Sequence, residues 1–126
     1  MHLSQMRGEY AVARAGPAAP VPEGVLSGAG FVTVSRTEDE LSVVALEDAI
    51  SGMDRVETGW SVFKVRGPFD FGETGIVAEL SRVLAEAEIG IFVISTYDTD
   101  YILVKQEHAT AAAEAWRGAG HEVVTH

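Results

Sequence analysis

Two stretches of the 126-residue chain align with a constant offset of 60 residues, and this internal similarity constrains the fold more than any other feature. The alignment begins at Gly28 and brings an apolar strand, an acidic turn, a second strand and a helix start into coincidence. Its identical pairs are Gly30 with Gly90, Ser35 with Ser95, Val44 with Val104, Glu47 with Glu107 and Ala49 with Ala109. Such a repeat predicts two small modules that stabilise each other rather than one ordinary domain.

The carboxyl-terminal copy contains a full set of strand and helix patterns. Apolar residues recur at helical spacing after Gly75, with Thr74 as the predicted N-cap, and Asp98-Thr99-Asp100 predicts a tight turn. The predicted strands are residues 60–66, 90–96, 101–105 and 121–125, and the predicted helices are residues 75–87 and 107–117. This order predicts an α+β, ferredoxin-like βαββαβ fold, in which both helices cover one face of a four-stranded antiparallel sheet.

The amino-terminal copy follows the same plan from Tyr10 but is trimmed. Three prolines in residues 17–22 separate its first two strands and leave room for only a turn or two of helix afterwards. Its second helix, residues 47–53, is short as well, and the polar residues 51–59 are interpreted as the joint between the copies. The predicted modules are a truncated one at residues 1–58 and a complete one at residues 59–126.

Composition excludes several classes of function. Nineteen acidic residues against nine basic ones give a net charge of −10, which argues against a nucleic-acid partner. The only lysines, Lys64 and Lys105, cannot form a polybasic patch for anionic lipid, and no apolar run is long enough to span a membrane. Without cysteine, and with histidines that lack ligand spacing, we expect no metal site and no cofactor. A cytoplasmic protein is the expectation.

The sequence GETGIVAELSRVLAEAEIGIFVISTYDTDYILV, residues 72–104, resembles an ACT domain, a ligand-sensing module of amino-acid metabolism. A glycine-containing turn (Gly72 and Gly75) precedes the helix, residues 84–87 read Leu-Ala-Glu-Ala, and residues 94–96 end an apolar strand in Ser-Thr. The pairing with a shortened first copy resembles the tandem ACT segments of aspartate kinases, the ACT pairs of cytosolic arginine sensors in animals and small stand-alone bacterial proteins. Two tandem ACT-type modules are therefore expected.

The chain departs from the family pattern at two positions. Glu73 stands where an apolar residue is expected in the turn, which leaves the identity of the ligand open. Glu88 replaces the usual glycine after the helix, where the backbone shape can persist without glycine.

The resemblance implies that the protein binds an amino acid or a similar small zwitterion at an interface between ACT units, without catalysis. The ligand-facing elements would be the turn at residues 69–76 and the strand end at residues 95–100. The implied ligand-binding residues are Asp70, Phe71, Gly72, Glu73, Thr74, Gly75, Ile76, Ser95, Thr96, Tyr97, Asp98 and Asp100.

Simple chemistry agrees with this site. Free N–H groups at the helix start attract a carboxylate, and glycines at residues 72 and 75 allow a ligand to approach the backbone. Carboxylates at residues 70, 98 and 100 could accept hydrogen bonds from an ammonium group. Three or four charge-assisted hydrogen bonds of roughly 1.5–3 kcal/mol each, against an association cost of at least ~4 kcal/mol, give a Kd between about millimolar and micromolar.

Plainer interpretations remain open for each feature. Asp98 and Asp100 are typical of a hairpin turn, the glycines of a loop that ends at a helix, and Ser95 and Thr96 of ordinary strand-end residues. The alternative function is a protein–protein interaction module whose ligand site has decayed. An enzyme that uses Asp98 and Asp100 is disfavoured, because no nucleophile, histidine constellation or phosphate loop accompanies the pair.

Size predicts self-association. A module of about 60 residues buries only about 60% of its surface, and exposed sheet edges invite pairing with a second chain. We therefore expect a homodimer and, as a further partner, an enzyme that the protein regulates.

Overall fold

The computed structural model describes residues 1–66 and 74–126, and the chain divides into two compact units. The first unit is Gly8–Trp60, and the second unit combines Met1–Arg7 with Ser61–His126. Each unit has its own hydrophobic core.

The described residues form eight strands and three α-helices. The strands are β1 (His2–Gln5), β2 (Tyr10–Ala15), β3 (Thr33–Arg36), β4 (Leu41–Leu46), β5 (Arg55–Val65), β6 (Phe92–Ser95), β7 (Asp100–Lys105) and β8 (Glu122–Val124). The helices are α1 (Glu23–Leu26), α2 (Ile76–Glu86) and α3 (Ala109–Gly118), and single 3-10 turns form at Glu47–Ala49 and Gln106–His108. The elements from α2 to β8 begin and end within two residues of their predicted bounds.

The second unit has the predicted ferredoxin-like plan with one additional strand. Helices α2 and α3 pack on the same face of its sheet, because both contribute to one core with the strands. Trp116 of α3 is fully buried at the centre, where its ring meets that of Phe63 edge-on at 5.1 Å. The Trp116 Nε1–H donates to the Leu80 carbonyl of α2 at 3.1 Å, so one side chain links sheet and both helices.

Strand β1 is the additional strand, and no sequence pattern indicated it. It pairs antiparallel with β5, with Leu3 opposite Val65, and parallel with β8, with Leu3 opposite Val123. Residues 1–7, which were expected in the first module, therefore belong to the second unit. The sheet of the second unit also contains one parallel pair, β1 with β8, where an antiparallel sheet was predicted.

The first unit is trimmed, as predicted. Helix α1 has four residues and follows Pro22, and the core consists of small side chains: Ala15, Val25, Leu41, Val43 and Ala45. The helix predicted at residues 47–53 is wrong, since only the 3-10 turn Glu47–Ala49 forms. Ile50, the residue after this turn, already has an extended backbone, which leads the chain on toward β5.

Strand β5 begins inside the segment that was interpreted as a joint. Its residues 55–57 pair with β2, whereas its residues 63–65 pair with β1. Between these two parts, Tyr10 is opposite Trp60 and Val12 is opposite Glu57, so two residues of β5 face one of β2. Gly59, with φ +78°, is one of those two residues. The glycine thus marks a β-bulge within a strand and not a loop.

The two units repeat the same hairpin with an offset of 59 residues, not the predicted 60. Thr33 pairs with Val44 and Arg36 with Leu41 in β3–β4, and the same places in β6–β7 are taken by Phe92 with Leu103 and Ser95 with Asp100. Both 3-10 turns also match at 59. Because side chains alternate between faces along a strand, the predicted register would have turned every matched side chain to the opposite face.

Core membership identifies the correct register independently. Val43 and Ala45 of β4 face the core of the first unit, and their counterparts Ile102 and Val104 of β7 face the core of the second. The number of identical residues misled the alignment. Five identical pairs occur at an offset of 60 residues, whereas the offset of 59 has three: Val34/Val93, Thr37/Thr96 and Asp39/Asp98.

Both hairpins are closed by the same threonine turn. The Thr37 N–H donates to the Glu40 carbonyl at 2.9 Å, and the Thr96 N–H donates to the Thr99 carbonyl at 2.8 Å. Each threonine hydroxyl also bonds with the residue three positions later. In the second unit, the buried Thr99 Oγ1 donates to the Val65 carbonyl at 2.5 Å, which ties this turn to the end of β5.

Helix α2 ends in a Schellman motif without glycine. The Ile89 N–H donates to the Leu84 carbonyl at 2.9 Å and the Glu88 N–H to the Ala85 carbonyl at 3.0 Å. Glu88 has φ +60°, the only positive value for a non-glycine residue in the described part of the chain. The expected persistence of the shape at Glu88 is confirmed.

Replacing Glu88 by glycine should stabilise the protein. The left-handed backbone costs a non-glycine residue about 1 kcal/mol, which the added flexibility of glycine in the unfolded chain only partly cancels. We expect Glu88→Gly to raise the free energy of unfolding by up to about 1 kcal/mol in urea titrations. Glu86→Gly, the same change inside α2, should instead lower it by about 1 kcal/mol; stabilisation by both variants would contradict this explanation.

The hydroxyl of Thr99 should make a measurable contribution to stability. Thr99→Val keeps the shape of the side chain but removes the donor to Val65, so we expect a loss of about 1–2 kcal/mol in the free energy of unfolding. Thr110→Val, the same change at an exposed position of α3, is the matched control and should stay within about 0.5 kcal/mol of the wild type. Equal effects of the two changes would refute the role of this bond.

Candidate functional site at one end of the second unit

The predicted site residues of the β6–β7 hairpin lie at one end of the sheet of the second unit. Ser95 ends β6, Asp100 begins β7 opposite it, and Thr99 is bonded to Val65 at the end of β5. Helix α2 follows β5 along the chain, after a connection that ends at Gly75. Of the predicted site residues, Asp70, Phe71, Gly72 and Glu73 lie outside the described residues.

The start of α2 differs from the prediction in its capping residue. Gly75, not Thr74, is the N-cap; it has φ +83°, and its carbonyl accepts the Glu79 N–H at 2.9 Å. Left-handed backbone at this position favours glycine over threonine. The N–H groups of residues 76–78, which lie between the N-cap and Glu79, have no carbonyl within the helix to bind. The side chain of Ile76 is half-buried and packs against the core.

Ser95 and Asp100 are brought together as a hydrogen-bonded pair. The Ser95 hydroxyl donates to Oδ1 of Asp100 at 2.5 Å, across the end of the β6–β7 hairpin. In the first unit, the place of Asp100 is taken by Leu41, which is fully buried in the core. A half-buried carboxylate therefore stands at a position that the fold itself suits to an apolar side chain.

The remaining predicted residues divide between the turn and the surface. Thr96 is engaged by Thr99 through both its N–H and its hydroxyl, so its polar groups serve the turn. Tyr97 is 80% exposed and Asp98 is exposed beside it, away from the core. Thr99 was not among the predicted site residues, although a threonine in the middle of a short acidic turn is the signal that could have identified it.

Charges on the first turn of α2 are already paired. The Arg82 guanidinium donates to Glu79 at 2.8 Å and to Glu86 at 3.0 Å, and Nε2 of His121 lies 2.9 Å from the other oxygen of Glu79. The hydrogen bonds from Arg82 and then from His121 lower the pKa of Glu79 below its ordinary value. Both carboxylates in turn raise the pKa of Arg82. Glu79 is thus occupied within the unit by Arg82 and His121, whereas the carboxylate of Asp100 is bonded to Ser95.

No group of three or more acidic, histidine or cysteine side chains in the described residues could hold a metal ion. Across the same residues, no helix combines the length and apolar character that a membrane crossing needs.

Comparison with protein families identifies the second unit directly. A family model described as an ACT domain matches residues 55–117, and a second model, described as an N-terminal domain, matches residues 8–53. The division between the two models lies close to the start of β5.

Solved structures agree with this assignment. A crystal structure of a protein from Agobacterium tumefaciens is 41% identical, with a TM-score of 0.90, over 99% of this chain and 92% of that one. Two others share the fold at lower identity. The ligand-free regulatory subunit of aspartate kinase from Thermus thermophilus has 11% identity and a TM-score of 0.70, over 94% of this chain and 96% of that one. A Vibrio cholerae protein, described as a possible transport protein, has 21% identity and a TM-score of 0.68, over 92% of this chain and 88% of that one. Family model, sequence identity and fold together show that the chain belongs to the ACT domain family.

Proposed function

We propose that this protein is a non-catalytic, cytoplasmic regulatory protein that binds an amino acid or a similar small zwitterion at an interface between ACT units. The observation that carries the proposal is the Ser95–Asp100 pair, in which a carboxylate replaces the core leucine of the repeated hairpin. A half-buried carboxylate costs stability unless it is hydrogen-bonded or paired. A function in ligand binding accounts for its presence.

The second unit contains a complementary group for each charged end of an amino acid. The N–H groups at the start of α2 and the positive end of its dipole suit a carboxylate. Asp100 suits an ammonium group, and Ser95 holds its side chain in place. The likeness of fold to the regulatory subunit of an aspartate kinase supports a regulatory role.

A second candidate function is an interaction module with a decayed ligand site. The trimmed first unit and the acidic residue Glu73, at a position of the sequence where the family pattern predicts an apolar one, favour it. Under this alternative, no amino acid stabilises the protein, and changes at Asp100 leave binding of a partner intact.

Binding should be detectable as ligand-dependent stabilisation. We expect at least one of the twenty amino acids, each at about 10 mM, to raise the melting temperature, since binding to the folded state alone stabilises it by mass action. Calorimetry should then give a Kd between about millimolar and micromolar. The absence of stabilisation by any of the twenty would overturn the proposal and leave the interaction module.

Asp100 should carry the charge recognition. Asp100→Asn keeps the size of the side chain and one oxygen that can accept the Ser95 hydroxyl, but it removes the charge and replaces the second acceptor by a donor. The affinity for the amino acid found in the panel should therefore fall about tenfold or more. Asp98→Asn is the matched control, because Asp98 is exposed in the same turn. The affinity of this variant for the amino acid should differ from that of the wild type by less than about threefold. Equal losses for both variants would indicate a general field effect instead of a contact.

Self-association should accompany binding. We expect light scattering to give a homodimer, about twice the 13.4 kDa of one chain, at micromolar concentration. A mass of one chain with or without the amino acid would contradict this part of the proposal.

A further inference from the structure

A groove of the second unit runs along one side of α3, and we refer to it as the α3 groove. Its floor is formed by Ala109 and Ala113, both of which are buried in the core. Its walls are polar and consist of Gln5, Gln106, Thr110, Arg117, Thr125 and His126. The groove has a volume of about 120 Å³, and about 10–15 Å³ is enough for one water, so a small molecule fits.

Two glutamines supply amide oxygens to the groove, and each oxygen already accepts a hydrogen bond from the protein. Ser61, which is 1% exposed, donates its hydroxyl to Oε1 of Gln106. Oε1 of Gln5 accepts the backbone N–H of His126 at 3.3 Å, and Nε2 of Gln5 donates to the Ser61 hydroxyl at 3.5 Å. The buried serine thus orients the amides from below, with their oxygens turned to protein donors.

The groups that remain for a ligand can donate hydrogen bonds. Arg117 uses one arm of its guanidinium, because Nη2 donates to the Val123 carbonyl at 2.7 Å. A guanidinium has five N–H groups, so this contact anchors the side chain and leaves four donors. Within the described residues, the hydroxyls of Thr110 and Thr125 make no hydrogen bond. A ligand that fits these groups is rich in acceptors.

The charge of the α3 groove is opposite to that of the chain. The protein has nineteen acidic residues and nine basic ones, yet no aspartate or glutamate is among the described residues that line the groove. Glu107 and Glu122 contact histidines that do not line it, at 3.8 and 2.8 Å. In the described part of the chain, Glu114 of α3 forms no ion pair with Arg117. The guanidinium therefore keeps its charge for a ligand.

We propose that the α3 groove binds a small oxyanion, that is, the carboxylate or phosphate group of a small molecule. The planar fork of Arg117 matches two oxygens of such a group, and the hydroxyls and amide nitrogens of the walls donate to the others. This site is separate from the Ser95–Asp100 pair. Asp100 is the first residue of β7 and Gln106 follows its last, so pair and groove lie at opposite ends of that strand.

Titration with simple anions tests the site. Sodium phosphate and sodium acetate are each added to the ¹⁵N-labelled protein at neutral pH, and sodium chloride keeps the ionic strength constant, because exposed charges respond to salt alone. We expect saturable NMR shifts of the Arg117 Nε–H and of the Thr110 and Thr125 amides, with a Kd of about 10 mM or tighter for at least one anion. The anion that binds more tightly assigns the group as phosphate or carboxylate. Shifts that rise linearly, or equally with chloride, would overturn the proposal.

Two pairs of variants separate a contact from a general effect of charge. Arg117→Gln should weaken anion binding at least about tenfold, because it removes the charged fork. Arg55→Gln, the same change at an exposed position of the first unit, should keep the affinity within about twofold. Equal losses in both variants would overturn the proposal.

The second pair leaves the bond between Arg117 and Val123 intact. Thr110→Glu retains a good helix former and places a carboxylate in the groove, so binding should again fall at least about tenfold. Thr110→Ser keeps the hydroxyl and should bind as the wild type does. Unchanged binding in Thr110→Glu would contradict the site. Asp100→Asn should leave the anion shifts unchanged, so this test is independent of the proposed amino-acid site.

Discussion

The alternation of side chains along β6 and β7 is the constraint on which the site depends. Ile102 and Val104 must face α2 and α3 to complete the core, and this fixes the face of every other residue in the hairpin. Asp100, two residues before Ile102, is thereby placed on the core side at the end of the sheet, opposite Ser95. The carboxylate is positioned by the apolar residues that follow it, and the threonine turn prevents the hairpin from slipping.

Much of the fold could be predicted from local patterns. The period of apolar residues located α2 and α3, the prolines limited α1, and the resemblance to ACT domains agreed with the family that the comparisons show. The N-cap was missed because it is set by backbone conformation and not by a side-chain cap. The N-cap residue has a left-handed backbone, which Gly75 adopts more readily than Thr74 would. Strand β1 was missed because its only strong apolar residue is Leu3, whose partners are supplied by distant parts of the chain.

The repeat shows why identical residues are a weaker guide than faces. Glycine and alanine matches at the offset of 60 carry little structural information, because such residues occur in many environments. The matches at 59 preserve burial, as with Val43 and Ile102, and turn chemistry, as with Thr37 and Thr96. The same comparison distinguishes the two hairpins: the first has the buried Leu41 where the second has the half-buried Asp100, on which the proposed ligand site rests.

The place of β1 has a consequence for how the two units form. The first unit is one continuous segment, so its contacts join residues that are at most about fifty positions apart. The second unit requires His2 to pair with Glu122, which closes a loop of almost the whole chain. Loop closure of this length is slow, although its entropic cost grows only slowly with length. The proposed binding site therefore belongs to the unit whose sheet is completed only when residues 2–4 meet residues 122–124.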